Sequence, residues 1–432
     1  MPTEVKIDRK IMPALVSAGK IDIPHAHSHT LANGIPVYYI NAGTQDVVKI
    51  ELIFRAGAYN QDMPLLANTT NAMLEEGTKK HNSEEIASML DYYGSFLETS
   101  AHQDYAVVAL YSLGKHVSKV LPLLEEIIKE PTFPQEEFDV YIKTKKQRFL
   151  VDDQKVRVVA ARNFPSILFG DIHPYGHAVK INEYDNLKTE LLKQFHSSHY
   201  SPDGCAIIIS GRVDEKHLKL LADYFGSSSW KPVSSNGSAK ELPLKASTEK
   251  KHLIEKKGAL QSAIKLGRPL FLKNHPDSIP FQILNTIFGG YFGSRLMANI
   301  REDKGYTYGI GSGVVFLKHA GYLQISSEVG ANVCANALVE VYKEMDRLCT
   351  DLVPAEELQL VKNYLTGNFM RSMDGPFSLA ERFKNIWLHG LDYSYYEKYL
   401  QTLNDITAEQ LRNIAGKYLA KDSIYELVVG AR

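Results

Sequence analysis

Three short stretches carry residue types suited to chemistry. HAHSH sets His25, His27 and His29 at alternate positions, so on an extended segment the three imidazoles share one side and could gather a metal ion. No carboxylate stands beside them in sequence, and the competing reading is a solvated lead-in to a first strand. LANTTNAMLEEGT, Leu66 to Thr78, has helical spacing, with Leu66, Thr69, Thr70 and Met73 on one face. A metal-hydrolysing helix would carry histidines and a carboxylate here, yet Asn68, Asn71 and Ala72 offer two amides and a methyl group. FGGYFGS, Phe288 to Ser294, lacks the terminal Lys-Ser/Thr of a phosphate loop and does not fit G-x-G-x-x-G; it reads as a turn from which a helix starts at Ser294. No G-x-S-x-G elbow occurs, and none of Cys205, Cys334 and Cys349 comes with the sequence signature of a nucleophile. His102 and His173 are isolated histidines, a pattern more typical of structural or surface roles.

The elements that must position these residues fall into two similar runs. In the first, VVKIELIFRAG alternates as a strand, and IASMLDYYG places Ile86, Met89, Leu90 and Tyr93 on one helical face that Gly94 terminates. A strand-like FLETSAHQDYAVVALYSL and the helical KHVSKVLPLLEEIIKEP follow. In the second, the strands QSAIKLGRP and GYLQISSEV bracket the helix SIPFQILNTIFGG, and the helix NVCANALVEVYKEMDRL comes next. Each run closes alike, on HLKLLADYFG and on AEQLRNIAGKYLA with the strand IYELVVGA. Between them, GSSSWKPVSSNGSAKELP replaces hydrophobic periodicity with serine, glycine and proline. The expected fold class is α+β, built of two homologous domains, each a mainly antiparallel sheet with helices packed on one face. The expected division is an N-terminal extension over residues 1–24, a first domain over 25–228, a linker over 229–245 and a second domain over 246–432.

Composition narrows the function classes. Of the 432 residues, 44% are hydrophobic and 23% charged, the profile of an ordinary globular chain able to fill two cores. Lys plus Arg number 49 against 50 Asp plus Glu, so no broad positive field is available for nucleic acid or an anionic membrane. No apolar run approaches the roughly 18 residues of a membrane span. Three cysteines without C-x-x-C spacing fit a reducing compartment, and the cytoplasm is the expected location; a chain trimmed of a signal peptide would read the same.

Four segments together resemble a known family: LANGIPVYYI; LANTTNAMLEEGT followed by SEEIASMLDYYG; the long block beginning HPYGHAVKINEYDNLKTELL; and FGGYFGSRLMANIREDKGYTYGIGSGV. In order and spacing the chain is similar, over nearly its whole length, to the inverzincin peptidases, the group of pitrilysin, insulin-degrading enzyme and mitochondrial processing peptidase. The family carries H-x-x-E-H on its first helix, two histidines for zinc and a glutamate that takes a proton from the zinc-bound water. By the flanking residues those positions fall on Asn68, Asn71 and Ala72, and all three functional groups are missing. The family's further glutamate ligand falls near KKQRFLVDDQ, where no glutamate stands around Phe149 and Asp152 and Asp153 are shorter and out of place.

The second-half motif remains. Arg301, followed seven positions on by Tyr308, resembles the family's arginine and tyrosine that approach the zinc from the opposite domain, and the offset favours Tyr308 over Tyr306. The resemblance implies half of a clam-shell peptidase: no metal in this chain, zinc in a homologous partner subunit, and Arg301 and Tyr308 acting on that partner's site. It implies an unfolded peptide as substrate, with Gly289, Gly290 and Gly293 as a short counterpart of a substrate-touching glycine loop. A second copy of the chain could take the partner's place when it is alone. The alternative is a scaffold derived from the same fold, with no proteolytic role.

Overall fold

The computed structural model describes residues 21–231 and 242–431. The extension expected over 1–24 and the linker expected over 229–245 therefore lie largely outside the described residues. The first-half strands are β1 (His27–Thr30), β2 (Pro36–Asn41), β3 (Val47–Phe54), β4 (Phe96–Ala101), β5 (Ala106–Leu113) and β6 (Cys205–Gly211). They form a sheet in the order β1-β2-β6-β3-β5-β4. The second half supplies β7 (Lys251–Glu255), β8 (Gln261–Leu270), β9 (Ile310–Phe316), β10 (Gly321–Gly330) and β11 (Tyr425–Gly430), in the order β7-β11-β8-β10-β9. The β2/β6 and β7/β11 pairs are parallel, and the other neighbours antiparallel. Two mixed but mainly antiparallel sheets with their helices thus give the α+β architecture that the sequence predicts.

First-half helices are α1 (Leu66–Ala72), α2 (Ser83–Tyr92), α3 (Val117–Lys129), α4 (Gln135–Asp153), α5 (Val156–Phe169), α6 (Thr189–His199) and α7 (Glu215–Phe225). The second half adds α8 (Ser278–Asn285), α9 (Cys334–Thr350), α10 (Ala355–Arg371), α11 (Pro376–Trp387), α12 (Ser394–Asp405) and α13 (Ala408–Tyr418). The expected helical faces are the buried ones: Leu66, Thr69, Thr70 and Met73 around α1, and Ile86 and Leu90 in α2. Gly94 ends α2 with φ +59°, a conformation that suits glycine.

Strand alternation divides each sheet between two cores. In β3, Val48, Ile50, Leu52 and Phe54 pack against first-half helices through Met73, Leu121, Phe195 and Phe225. Ile53, together with Ile40, Val107 and Ile208 of neighbouring strands, faces the opposite way and meets Leu379, Ala380 and Phe383 of α11, a second-half helix. The second sheet mirrors this. Leu266, Leu323 and Ile325 pack with Ile283, Val341, Met345 and Leu411 of its own helices. Its reverse face, through Ala263, Leu427 and Val429, is covered by Val159, Phe164 and Leu168 of α5, a first-half helix. Each half therefore caps the other's exposed sheet face. At roughly 1.5–3 kcal/mol for each fully buried large apolar side chain, the three large residues of α5 alone tie the halves together firmly.

A charged knot lies at one of these junctions. Lys49 and Glu51 of β3 point toward α11, where Lys49 Nζ sits 3.0 Å from Glu51 and 2.8 Å from Glu381, and Lys384 Nζ lies 2.7 Å from both carboxylates. A second polar tie runs through the HPYG turn: the Tyr175 hydroxyl donates to Asp104, whose other oxygen accepts the Lys318 backbone N–H at 2.9 Å. His173 is buried in that turn, where its Nδ1 accepts from the Tyr175 N–H at 3.1 Å, a structural role.

Candidate functional site

Helix α1 starts from Leu65, held at φ +70° by the packing around it. It exposes Asn68, half-buries Ala72 and turns Asn71 inward to 1% exposure. There the Asn71 amide is fully engaged: Nδ2 donates to the Val107 carbonyl at 3.3 Å, and Oδ1 accepts from the Tyr200 hydroxyl at 2.9 Å. Tyr200 closes α6 against Phe54 and His196, and burial pushes its phenol far above the ordinary range. These residues do not fit a zinc ion. Ala72 has no lone pair, and the Asn71 oxygen already holds a donor in the core. At the end of α4, Asp152 pairs with Lys155 at 2.8 Å and Arg148 at 3.6 Å, while Asp153 pairs with Arg162 and, at 3.2 Å, with Lys256. Those cations depress both carboxyls, with the hydrogen bonds from Lys155 and Arg162 respectively the largest cause.

Sequence reading passed over Glu75 and Glu76, one turn beyond α1. Burial and the neighbouring Glu76 charge raise the Glu75 carboxyl, against a lowering hydrogen bond from Thr99, and burial with Glu137 raises Glu76. The three histidines of HAHSH do not converge. His25 stacks on Tyr393 with ring centroids 4.0 Å apart, His27 stacks on Tyr39 at 5.0 Å, and β1 runs exposed along the sheet edge. Among the described residues no three His, Cys, Asp or Glu side chains gather as a metal-holding group.

Arg301 and Tyr308, in contrast, line the same groove. Arg301 rides on a helix whose widened turns span Met297–Asp303, with its guanidinium carbon 4.6 Å from the Phe292 ring centre. The following segment is irregular, so Tyr306 and Tyr308 do not share a face as they would on a strand. Tyr306 packs on the second core, whereas Tyr308 stands 96% exposed. Thr307 pins the loop between them: its hydroxyl donates to the Glu328 carbonyl at 2.6 Å and accepts from the Gly309 N–H at 3.1 Å. Ser327 donates to the Gly309 carbonyl at 2.9 Å. The tyrosine is thus projected from an anchored backbone. Both residues line one groove of about 880 Å³ beside α5, and Asn68, Asn71 and Ala72 are not part of it.

The glycines separate by role. Gly289 is buried where a Cβ would come within 2.6 Å of Ser312 Oγ, so its small size serves helix-on-sheet packing. Gly290 and Gly293 are exposed near Phe292. The helix begins after Ser294 as expected, although the buried Ser294 hydroxyl makes no capping bond among the described residues.

Two similar α+β halves, each a mainly antiparallel sheet packed with helices, define an inverzincin-type peptidase scaffold. Comparison with known proteins agrees: residues 36–171 match the insulinase (peptidase family M16) description, and residues 186–365 match the peptidase M16 inactive domain. The chain belongs to the M16 insulinase family. It is 23% identical over 410 residues to an uncharacterized zinc protease of Bacillus subtilis, covering 93% of this chain and 97% of that one. It is 20% identical over 412 residues to a zinc protease of Helicobacter pylori, covering 92% and 90%. A crystal structure of a peptidase M16 inactive domain from Pseudomonas fluorescens superposes with a TM-score of 0.82 at 25% identity, covering 94% of this chain and 98% of that one. A protease from Helicobacter pylori superposes with a TM-score of 0.85 at 19% identity, covering 94% and 100%.

Proposed function

We propose that this chain is the metal-free half of a two-chain peptidase, pairing with a zinc-bearing homologue and enclosing an unfolded peptide between them. The observation that carries this reading is Tyr308, almost fully exposed on a pinned loop in the groove that Arg301 also lines, its hydroxyl meeting no acceptor among the described residues. A phenol carried outward on an anchored backbone is available to something the chain itself does not contain. In the complex, Tyr308 donates a hydrogen bond to the scissile carbonyl oxygen as negative charge develops on it, and Arg301 holds a neighbouring carbonyl or carboxylate of the peptide. The metal belongs to the partner, because the donor set around α1 does not fit one. The cytoplasm is the compartment we assign, and alone the chain pairs with a second copy of itself.

The test is co-purification with a homologue that keeps H-x-x-E-H, followed by zinc analysis and peptide turnover. Tyr308→Phe is expected to lower turnover about 10²–10³-fold, the usual effect of removing one positioned donor. Unchanged turnover in that variant, or stoichiometric zinc in the chain alone, would overturn the reading. A complex that forms yet cleaves nothing would favour the scaffold alternative.

A further inference from the structure

The groove holding Arg301 and Tyr308 has an uneven charge. Its floor is the reverse face of the second sheet, where odd positions of β8 and even positions of β10 point away from the main core. Helix α5 walls one side and the Tyr306–Gly309 segment the other. Small residues dominate the floor and wall, among them Ala160, Ala161, Ala263 and Ser326, leaving a channel open to an extended main chain. Three cations line it, Arg157, Lys265 and Arg301, against one carboxylate, Glu328.

The carboxylate does not balance them. Glu328 lies 3.5 Å from Arg157. Lys265 bonds instead to a neutral amide oxygen, Gln324 Oε1, at 3.2 Å, and Arg301 is stacked on the Phe292 ring. Glu302 and Asp303 follow Arg301 in sequence but are exposed and do not line the groove. Burial, and then the nearby Arg157 charge, hold the Lys265 ammonium below the ordinary lysine range. A partly desolvated ammonium facing another cation is relieved by an incoming anion.

We propose that this groove selects an acidic stretch of an extended peptide, seating a Glu or Asp side chain between Lys265 and Arg157. The inference rests on the reading that Arg301 and Tyr308 face the peptide substrate, and it names the class of peptide they meet.

Fluorescence anisotropy of the purified full chain tests it with two labelled ten-residue unstructured peptides, identical except for Glu or Gln at three positions. At low salt the Glu peptide is expected to bind about tenfold more tightly, the effect of one partly covered ion pair. Lys265→Gln combined with Arg157→Gln brings the two peptides to within about twofold of each other. Glu328→Gln, a change at a partly exposed side chain that leaves the fold intact, widens the preference. Equal affinity of the two peptides for the unaltered chain, binding of neither, or a preference that survives the double substitution would each overturn the assignment. Tyr308→Phe separates the two ideas. Loss of turnover in the two-chain complex without any acidic preference would sink the assignment alone, whereas unaltered turnover sinks the underlying reading.

Discussion

Replacing Asn71 by alanine asks directly whether this position still belongs to a working site. In the structure the side chain is a core cross-link: Oδ1 receives the Tyr200 hydroxyl at 2.9 Å and Nδ2 reaches the Val107 carbonyl at 3.3 Å, both in buried surroundings. Alanine strands the Tyr200 hydroxyl without an acceptor, a loss of about 1–3 kcal/mol, and removes a weaker bond to Val107 worth roughly 0.5–1 kcal/mol. The truncated volume adds a small cavity term, so the total comes to about 3 kcal/mol. With a urea slope of roughly 3 kcal/mol/M or steeper for a chain of this size, the unfolding midpoint falls by up to about 1 M. Trp230, packed beside the first core, supplies the fluorescence signal. Adding Tyr200→Phe to Asn71→Ala removes the stranded hydroxyl and recovers about 1–2 kcal/mol, the signature of a coupled pair. A midpoint unmoved by Asn71→Ala, or simple additivity of the two substitutions, would refute the argument and return position 71 to the list of residues free to face a ligand.

Further expectations follow from other parts of the structure. Lys49→Met leaves Glu51 and Glu381 sharing Lys384, and calorimetry should show a loss of about 2–4 kcal/mol. Gly289→Ala lowers stability by about 1–3 kcal/mol through its collision with Ser312, measurable by urea titration before any effect on peptide binding is considered. The His196 ring, with Nε2 against the Ile128 carbonyl at 2.8 Å, is held by burial at a pKa of about 4. Its folded value lies below the unfolded one, so the unfolded chain binds the extra proton between about pH 6.5 and pH 4, and stability falls as pH drops through that window. His196→Gln should flatten this acid limb by up to about 1.4 kcal/mol per pH unit in urea midpoints recorded against pH.

Local patterns in the sequence recorded many of the strands and helices, because alternation and helical spacing are written within ten residues, but FLETSAHQDYAVVALYSL, read as one strand-like run, is the pair β4 and β5, and α5 and α11 were not read. The buried faces of α1 and α2 and the stop at Gly94 came from such spacing. The choice of Arg301 with Tyr308 came instead from the resemblance to a known family, and the reason Tyr308 projects while Tyr306 packs inward lies in the Thr307 bond to Glu328, across to another strand. The exchange of covering helices was not legible. Pro165 interrupts the pattern of α5, and nothing near Phe164 or Phe383 announces that its burial partner is a sheet of the other half. The fate of Asn71 was hidden for the same reason. Its acceptor and donor partners, Val107 and Tyr200, stand 36 and 129 residues away, and a lone amide in a helix gives no hint of them.

The mutual roofing of the two sheets bears on how such a molecule could have arisen. A polypeptide holding just one of these halves would carry a greasy strand surface that no element of its own reaches, and it would stay soluble only by trading a helix with an identical neighbour. Joining two such neighbours end to end makes that meeting intramolecular, so assembly no longer depends on how many molecules are present. Once tethered, the two halves no longer need identical surfaces, since each has a fixed neighbour to cover it.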